Sequence, residues 1–254
     1  MAKPYVVAIN GSERKDGNTG RLIQHALDII AKHDIEVNRI DLKGKNIKDG
    51  CTGCWLCRYR NATCEIKDDL QPIADEMFKA DGIILGAPVY WGFSPAKMRA
   101  VLERAGILSE GRISYDKPVI DLGDPALWPI TKKGRGLFDR KLGGIITDAR
   151  RDGVITTYGE LLLFMTINNF IVVSSNYWSV GIGTTRVPKL NSKGEPIKLK
   201  DGVNILFEHS RNILEKDKEG RETIETFAEN FAWALNKLRG KKKETLGANT
   251  EKSK

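Results

Sequence analysis

With 254 residues, 41% hydrophobic and 29% charged, the chain has the length and balance of one large globular domain with a substantial core. No apolar run reaches the length of a secretion-signal core or a membrane-spanning helix, so a cytoplasmic protein is expected, in a reducing setting where disulfides do not persist. The net charge of +8 is concentrated: Arg39–Arg60 carries +4, "RGKKKETLGANTEKSK" at 239–254 carries another +4, and the remainder is neutral. The second of these segments has few apolar side chains and is expected to be an unstructured basic tail. Without interleaved aromatics or a nucleic-acid motif, it argues against nucleic acid as a partner.

In chain order, "YVVAIN" (Tyr5–Asn10) is a β-branched run suited to a buried strand. A helical spacing follows from Thr19 to about His33, through Leu22, Ile23, Ala26, Leu27 and Ile30. "EVNRIDL" (Glu36–Leu42) alternates as a strand, and a helix is expected from near Asp68, with Pro72 in its first turn. "GIILG" (Gly82–Gly86) is the next buried strand. "SPAKMRAVLERAG" predicts a helix with Ser94 as N-cap, Pro95 in the first turn and Gly106 as its stop. Residues 107–140 are rich in Gly, Pro and Asp and predict an irregular insertion, with "KPVIDL" as an extra strand. Alternation resumes with "LGGIIT" (Leu142–Thr147), a helix around Thr156–Asn168 and "FIVVSS" (Phe170–Ser175). A second insertion is expected at 181–220. The closing helix, "ETIETFAENFAWALNKL", sets Ile224, Phe227, Phe231, Ala234 and Leu238 on one face. Strands alternating with helices predict an α/β fold, one doubly wound domain over 1–238.

Two loops carry recognition chemistry. "GSERKDGNTG" (Gly11–Gly20) joins the first strand to a helix, so free N–H groups and the helix dipole converge there on an anion. Ser12, Asn18 and Thr19 add neutral donors and Arg14 a positive charge. Neither the nucleoside-triphosphate loop nor GxGxxG matches. "GAPVYWGFSP" (Gly86–Pro95) ends the third strand, and in the order 2-1-3-4-5 the first and third strands flank the point where ligands bind. A phosphate site on one loop and Tyr90 with Trp91 on the other suit FMN, although an aromatic pair at a strand end also serves for packing.

All four cysteines fall in "CTGCWLCRYRNATC", spaced C-x2-C-x2-C-x6-C, within a loop spanning 48–67. Two successive x2 gaps put three thiolates on one tight loop, and a fourth completes the ligation of a [4Fe–4S] cluster by Cys51, Cys54, Cys57 and Cys64. Zinc, which favours two separated knuckles, and chemistry at bare thiols are the alternatives. Lys43, Lys45, Lys48, Arg58 and Arg60 are expected to offset the cluster's negative charge. His25, His33 and His209 stand apart from any nucleophile and are expected to be structural.

Together "GSERKDGNT", "CTGCWLC" and "GAPVYWGFSPAKMRAVLER" resemble the flavodoxin-fold NAD(P)H-dependent FMN reductase superfamily, and within it the iron–sulfur flavoproteins of anaerobes. The resemblance covers about Tyr5–Arg104. It implies a flavodoxin-like five-stranded parallel sheet, with the FMN phosphate on Ser12, Arg14, Asn18 and Thr19. It also implies an isoalloxazine lined by Pro88, Val89, Tyr90, Trp91 and Gly92. A third flavin-contacting loop falls near Asp148–Gly153, where "TDARRDGVITTYGE" departs from the family's Gly-Gly-Gln-Glu pattern. The implied activity is electron transfer from a donor such as ferredoxin through the cluster to FMN and on to oxygen, peroxide or another small oxidant, in a homodimer or homotetramer. Two other activities are compatible with the same motifs: direct reduction of FMN, quinones or nitro compounds by NAD(P)H, and a redox carrier or sensor without turnover.

Overall fold

A computed structural model describes residues 3–14, 17–60, 62–111, 136–183, 186–200, 205, 207–209 and 213–247. The first half runs β1 (Tyr5–Asn10), α1 (Asn18–Ala31), β2 (Glu36–Asp41), α2 (Leu56–Tyr59), α3 (Leu70–Lys79), β3 (Gly82–Pro88) and α4 (Ala96–Gly111). The second half runs β4 (Leu142–Ala149), α5 (Val154–Ile167), β5 (Ile171–Val172), β6 (Val180–Ile182), β7 (Arg186–Pro188), β8 (Phe207–His209), α6 (Ile213–Lys216) and α7 (Lys218–Gly247). The principal sheet has the order β2-β1-β3-β4-β5, every pairing within it parallel, with β6 also on β4. This is the flavodoxin-like arrangement. Its fifth position is shared by two pieces, β5 beside Leu142–Gly143 and β6 beside Thr147–Ala149. In the run between them, "SSNYWS", the large side chains Tyr177 and Trp178 are exposed and pack on each other at 5.1 Å between ring centroids rather than into the core.

Strands β3 and β4 are buried along their whole length, as parallel strands covered on both faces must be. One apolar layer packs α3, α4 and α5 against the sheet through Met77, Val101, Leu108, Leu161 and Met165. The opposite layer packs α1 and α7 through Leu22, Leu27, Ile30, Phe227 and Phe231. The Gly143–Gly144 pair lets both layers close: a Cβ on Gly143 would lie 2.7 Å from Met165 Sδ, and one on Gly144 2.3 Å from Phe227 Cζ. His25 and His33 join α1 to α7 through Glu225 and Glu229, each at 2.9 Å, which is a structural role. No described helix is long and apolar enough to cross a membrane.

Several expectations are corrected. Gly106 does not stop α4, which continues to Gly111, because the buried Leu102, Ala105 and Leu108 outweigh the ~1 kcal/mol cost of a helical glycine. The irregular insertion expected from 107 therefore begins later, and the strand expected at "KPVIDL" lies outside the described residues. Ser94 does not cap α4: its Oγ is buried with no partner among the described residues, and its N–H donates to Glu160 at 2.9 Å. The 181–220 segment holds β7, β8 and α6 rather than irregular chain alone. Helix α7 continues past 239 to Gly247, since Lys, Glu and Leu sustain an established helix one hydrogen bond at a time. The expected unstructured tail is thus helical over 239–247. At its apolar face Ile224, Phe227 and Phe231 are fully buried, whereas Leu238 is at the exposed edge.

Substitution Gly144→Ala should destabilise the fold by about 2–3 kcal/mol, because the new methyl overlaps the Phe227 ring in a two-sided core. Urea unfolding checks this, and an unchanged midpoint would contradict the close seating of α7 on β4.

Candidate functional site

The carboxyl ends of β1, β3 and β4 meet at one place. Gly11 N–H donates to Gly86 O at 2.8 Å, carrying the β1–β3 pairing into the first loop. Asn10 ties β1 to β2 through Asp41 at 2.8 Å and accepts the Ser12 N–H at 3.1 Å, so the loop leaves the sheet on a fixed path. Ser12 is buried, and its Oγ accepts the Arg14 N–H at 3.3 Å, which leaves the hydroxyl hydrogen available. A Cβ on Gly17 would lie 2.7 Å from Ser12 Oγ, so the loop folds back on itself only because residue 17 is glycine. Helix α1 then starts with neither a side-chain cap nor an acidic residue in its first turn. Asn18 Oδ1 is buried there without a partner among the described residues. An uncapped helix N-terminus bordered by Ser12, Asn18 and Thr19 is suited to a bound anion. Of the four expected phosphate residues, Arg14 is the exposed one.

Thr19 carries a further constraint. Its hydroxyl donates to Asp148 Oδ1 at the end of β4, so what it offers an anion is its backbone N–H. Asp148 is buried, and burial pushes its carboxyl up to about 6 against the opposing effects of Thr19 and the Arg14 charge. Its backbone carbonyl accepts the Val89 N–H at 2.9 Å, locking the loop after β3 to the loop after β4.

The loop after β3 is a tight hairpin. Tyr90 and Phe93 exchange backbone hydrogen bonds at 2.8 and 3.2 Å, around Trp91 and Gly92 at φ of 53° and 89°. Two consecutive positive φ values are the geometry of a type I′ turn. They thrust Trp91 fully into solvent, 100% exposed, while Pro88 ends β3 inside and Tyr90 is half-buried. Val89, Trp91 and Gly92 face Ala149, Arg150, Arg151 and Asp152 across a cleft of about 510 Å³. That volume is in the range of small-molecule sites. Gly153, at φ 87°, seats the far wall: a Cβ there would lie 2.8 Å from Val89 Cγ1 and 3.2 Å from Gly92 Cα. The loop "TDARRDG" thus takes the place expected of the third flavin loop, with two arginines in it.

The cysteine loop lies against α4, farther along the helix. Positive φ at Gly53, Trp55 and Ala62 curls it, and Cys51, Cys54, Cys57 and Cys64 line one cavity with Trp55, Ile66, Arg104, Ile107 and Leu108. Cys57 is buried and Cys64 half-buried, while Cys51 and Cys54 are exposed. Burial, followed by the neighbouring Cys51, Cys54 and Cys64, pushes the Cys57 thiol up, whereas the Leu56 backbone and the Thr52 hydroxyl hold Cys54 down. The four sulfurs therefore share one electrostatic environment. Among the described residues no three His, Cys, Asp or Glu sit close enough together to hold a metal ion, so the four thiols line the cavity without converging on one point. Lys43, Lys45, Lys48 and Arg60 are exposed, where water screens them, and Arg60 pairs with Glu65.

Three residues lie within the quoted motifs but are given no role there. Glu103 accepts the Cys51 N–H at 3.1 Å. Arg104 is buried beside the cysteines, and Asp148 is buried beneath Thr19 at the start of α1. Arg104 occupies the apolar stripe of α4 with Val101, Ala105 and Leu108, and a lone arginine on such a stripe is the signal that marks it.

Removing the buried charge should stabilise the flavin-free protein. The native Asp148 value is above the ordinary carboxylate value, so its destabilising effect appears as pH rises through about 4 to 6 and is complete above that. Asp148→Asn is expected to gain on the order of 2 kcal/mol at pH 7.5, with the gain shrinking as pH falls toward 4. Urea unfolding across that range measures it, and a loss of stability equal at every pH would contradict the assignment.

The family described as NADPH-dependent FMN reductase matches residues 4–185. An iron–sulfur flavoprotein of Methanocaldococcus jannaschii is 32% identical over 204 residues, covering 79% of this chain and 92% of that protein. One from Archaeoglobus fulgidus is 24% identical over 237 residues, covering 92% and 99%. Among solved structures, RosB with a bound 8-demethyl-8-formylriboflavin-5′-phosphate intermediate aligns at TM-score 0.63 and 14% identity, covering 99% of this chain and 88% of that one. The flavoenzyme FerB, an NAD(P)H:(acceptor) oxidoreductase from Paracoccus denitrificans, aligns at 0.52 and 13%, covering 92% and 98%. These two likenesses bear on the fold. Sequence match, sheet order and the loops at the strand ends agree: the chain belongs to the NADPH-dependent FMN reductase family, as an FMN-dependent oxidoreductase akin to the iron–sulfur flavoproteins.

Proposed function

We propose that this chain is an electron-transferring flavoenzyme that takes single electrons from a donor such as ferredoxin and delivers them to a small oxidant, oxygen or peroxide among them. FMN would lie with its phosphate at Ser12, Arg14, Asn18 and the Thr19 backbone, and its ring in the cleft between Val89–Gly92 and Ala149–Asp152. A [4Fe–4S] cluster would be held by Cys51, Cys54, Cys57 and Cys64. When bound, the cluster supplies one-electron exchange and FMN both one- and two-electron exchange, so a chain with both can collect electrons singly and deliver pairs.

The observation that carries this reading is that four cysteines line one cavity on the flank of α4, while the N-terminal end of α4 follows directly from the cleft-lining loop. The eight helical steps from Ala96 to Arg104 span roughly 12 Å at 1.5 Å per residue. The residues suit the two groups. The uncapped start of α1 and the Ser12 hydroxyl hydrogen can donate to a phosphate, and the unpartnered Asn18 Oδ1 can accept from a ligand hydroxyl. Four thiols lining one cavity are the all-cysteine donor set that a cluster takes, and the buried Arg104 Nε beside them has no acceptor among the described residues. Arg150 and Arg151, only partly offset by Asp152, give the cleft a positive rim that favours the reduced, anionic form of the flavin ring. The fully exposed Trp91, at the edge of the cleft, is available to a second copy in a homodimer or homotetramer.

A second reading has its own support, since the matched family is described as NADPH-dependent: NAD(P)H would reduce the flavin directly. Protein purified without oxygen should hold about four iron, four sulfide and one FMN per chain, and Cys57→Ala should lose the iron and keep the flavin. Reduced ferredoxin should then bleach the flavin of the parent and not of Cys57→Ala. Flavin reduction by NAD(P)H, fast and equal in both proteins, would favour the second reading. Zinc without sulfide would overturn the cluster assignment.

A further inference from the structure

We propose that Arg104 is a positioning residue that sets the reduction potential of the cysteine-bound centre by donating to the sulfur of Cys64; the inference rests on the cluster reading above. Arg104 is 2% exposed, a burial that arginine tolerates only when paired. Its Nη1 donates to Asp68 Oδ2 at 2.6 Å and to Asp49 O at 3.3 Å. Its Nη2 donates to Asp68 Oδ1 at 2.9 Å, to Ile66 O at 3.2 Å and to Cys64 Sγ at 3.2 Å. Asp49 precedes Cys51 and Ile66 follows Cys64, so one guanidinium clips both ends of the cysteine loop to α4.

The fork has a donor to spare. Nε is buried and has no partner among the described residues, in a side chain that lines the cysteine cavity. A buried donor without an acceptor is costly, and the inorganic sulfides of a cluster are acceptors that a lone zinc ion would not bring. Asp68 does not simply cancel the cation. Burial opposes the charge of Asp68, while Arg104 and the N–H groups of Lys48 and Leu70 hold its carboxyl below the ordinary range. The positive end of this pair is the one that touches the cysteine. A hydrogen bond and a cation at a ligand sulfur stabilise the more negative, reduced state of the centre, and burial prevents salt from screening them. The exposed Lys43, Lys45 and Lys48 lack that advantage.

Three variants test the inference, each purified without oxygen, analysed for iron and sulfide, and titrated by electron paramagnetic resonance. The double variant Arg104→Met/Asp68→Asn removes the pair together and leaves no lone buried charge. It should titrate at a lower potential than the parent. Asp68→Asn alone leaves Arg104 uncompensated and should titrate higher. Arg104→Lys keeps the charge and loses the fork, so its potential should lie between the parent's and the double variant's. A brace without electrostatic effect would change how much iron each variant holds, with every loaded protein titrating at the parental potential; that result overturns the inference. If the double variant fails to load, Asp68→Asn decides by the same criterion. A parent without iron and sulfide would overturn the cluster reading and this inference with it, and metal analysis separates that failure from an unshifted potential.

Discussion

The pairing of β1 with β3 is the constraint on which the rest of the molecule depends. These strands are adjacent in the sheet but separated in sequence by β2 and the cysteine loop, so the chain must leave β1 toward one face and return to β3 from the other. The loops after them therefore diverge and leave a crevice, which the loop after β4 closes from the side. The Gly11–Gly86 hydrogen bond, the Val89–Asp148 hydrogen bond and the Gly153 contact with Gly92 are the local consequences. Each is a close backbone approach, and the backbone, more than any one side chain, sets the shape of the cleft.

The cysteine loop belongs to the same logic. It is the long crossover between β2 and α3, with little apolar content of its own, and it gains order by docking on α4. The Asp68–Arg104 pair and the Glu103 contact with Cys51 supply that docking. Removing one partner of so deeply buried a pair typically costs about 3–5 kcal/mol, far more than a surface ion pair. Helix α4 thus joins the two proposed redox sites: its first turn is fixed by the cleft-lining loop and its second half by the cysteine loop.

Much of this was legible in the sequence, for identifiable reasons. Tyr5–Asn10, Gly82–Gly86 and Leu142–Thr147 are continuous apolar runs, and a strand covered on both faces has no other pattern to show. The turn from β1 into α1 was legible because glycine and short hydroxyl side chains have few reasons to cluster between a strand and a helix. The split fifth strand was hidden because β5 and β6 are too short for periodicity to register. Gly106 was misread as a stop because its local preference is outweighed by packing on both sides. The roles of Arg104 and Asp148 were hidden for different reasons: Arg104 is one charge on the apolar stripe of α4, Asp148 is one of several charges in "TDARRDG", and only the fold shows the partner of each. Trp91 was expected to line the ring site, and it does border the cleft, but its positive φ turns the side chain entirely outward.

On the proposed reading one chain stores electrons at two centres, one on the cysteine loop and one in the cleft. An anaerobic reductive titration followed by visible absorbance tests it directly, because a cluster accepts one electron and FMN two. Two such centres give an expected end point of about three electrons per chain, with loss of both flavin and sulfur-to-iron absorbance. An end point of about two, with the flavin bands alone bleaching, would contradict it.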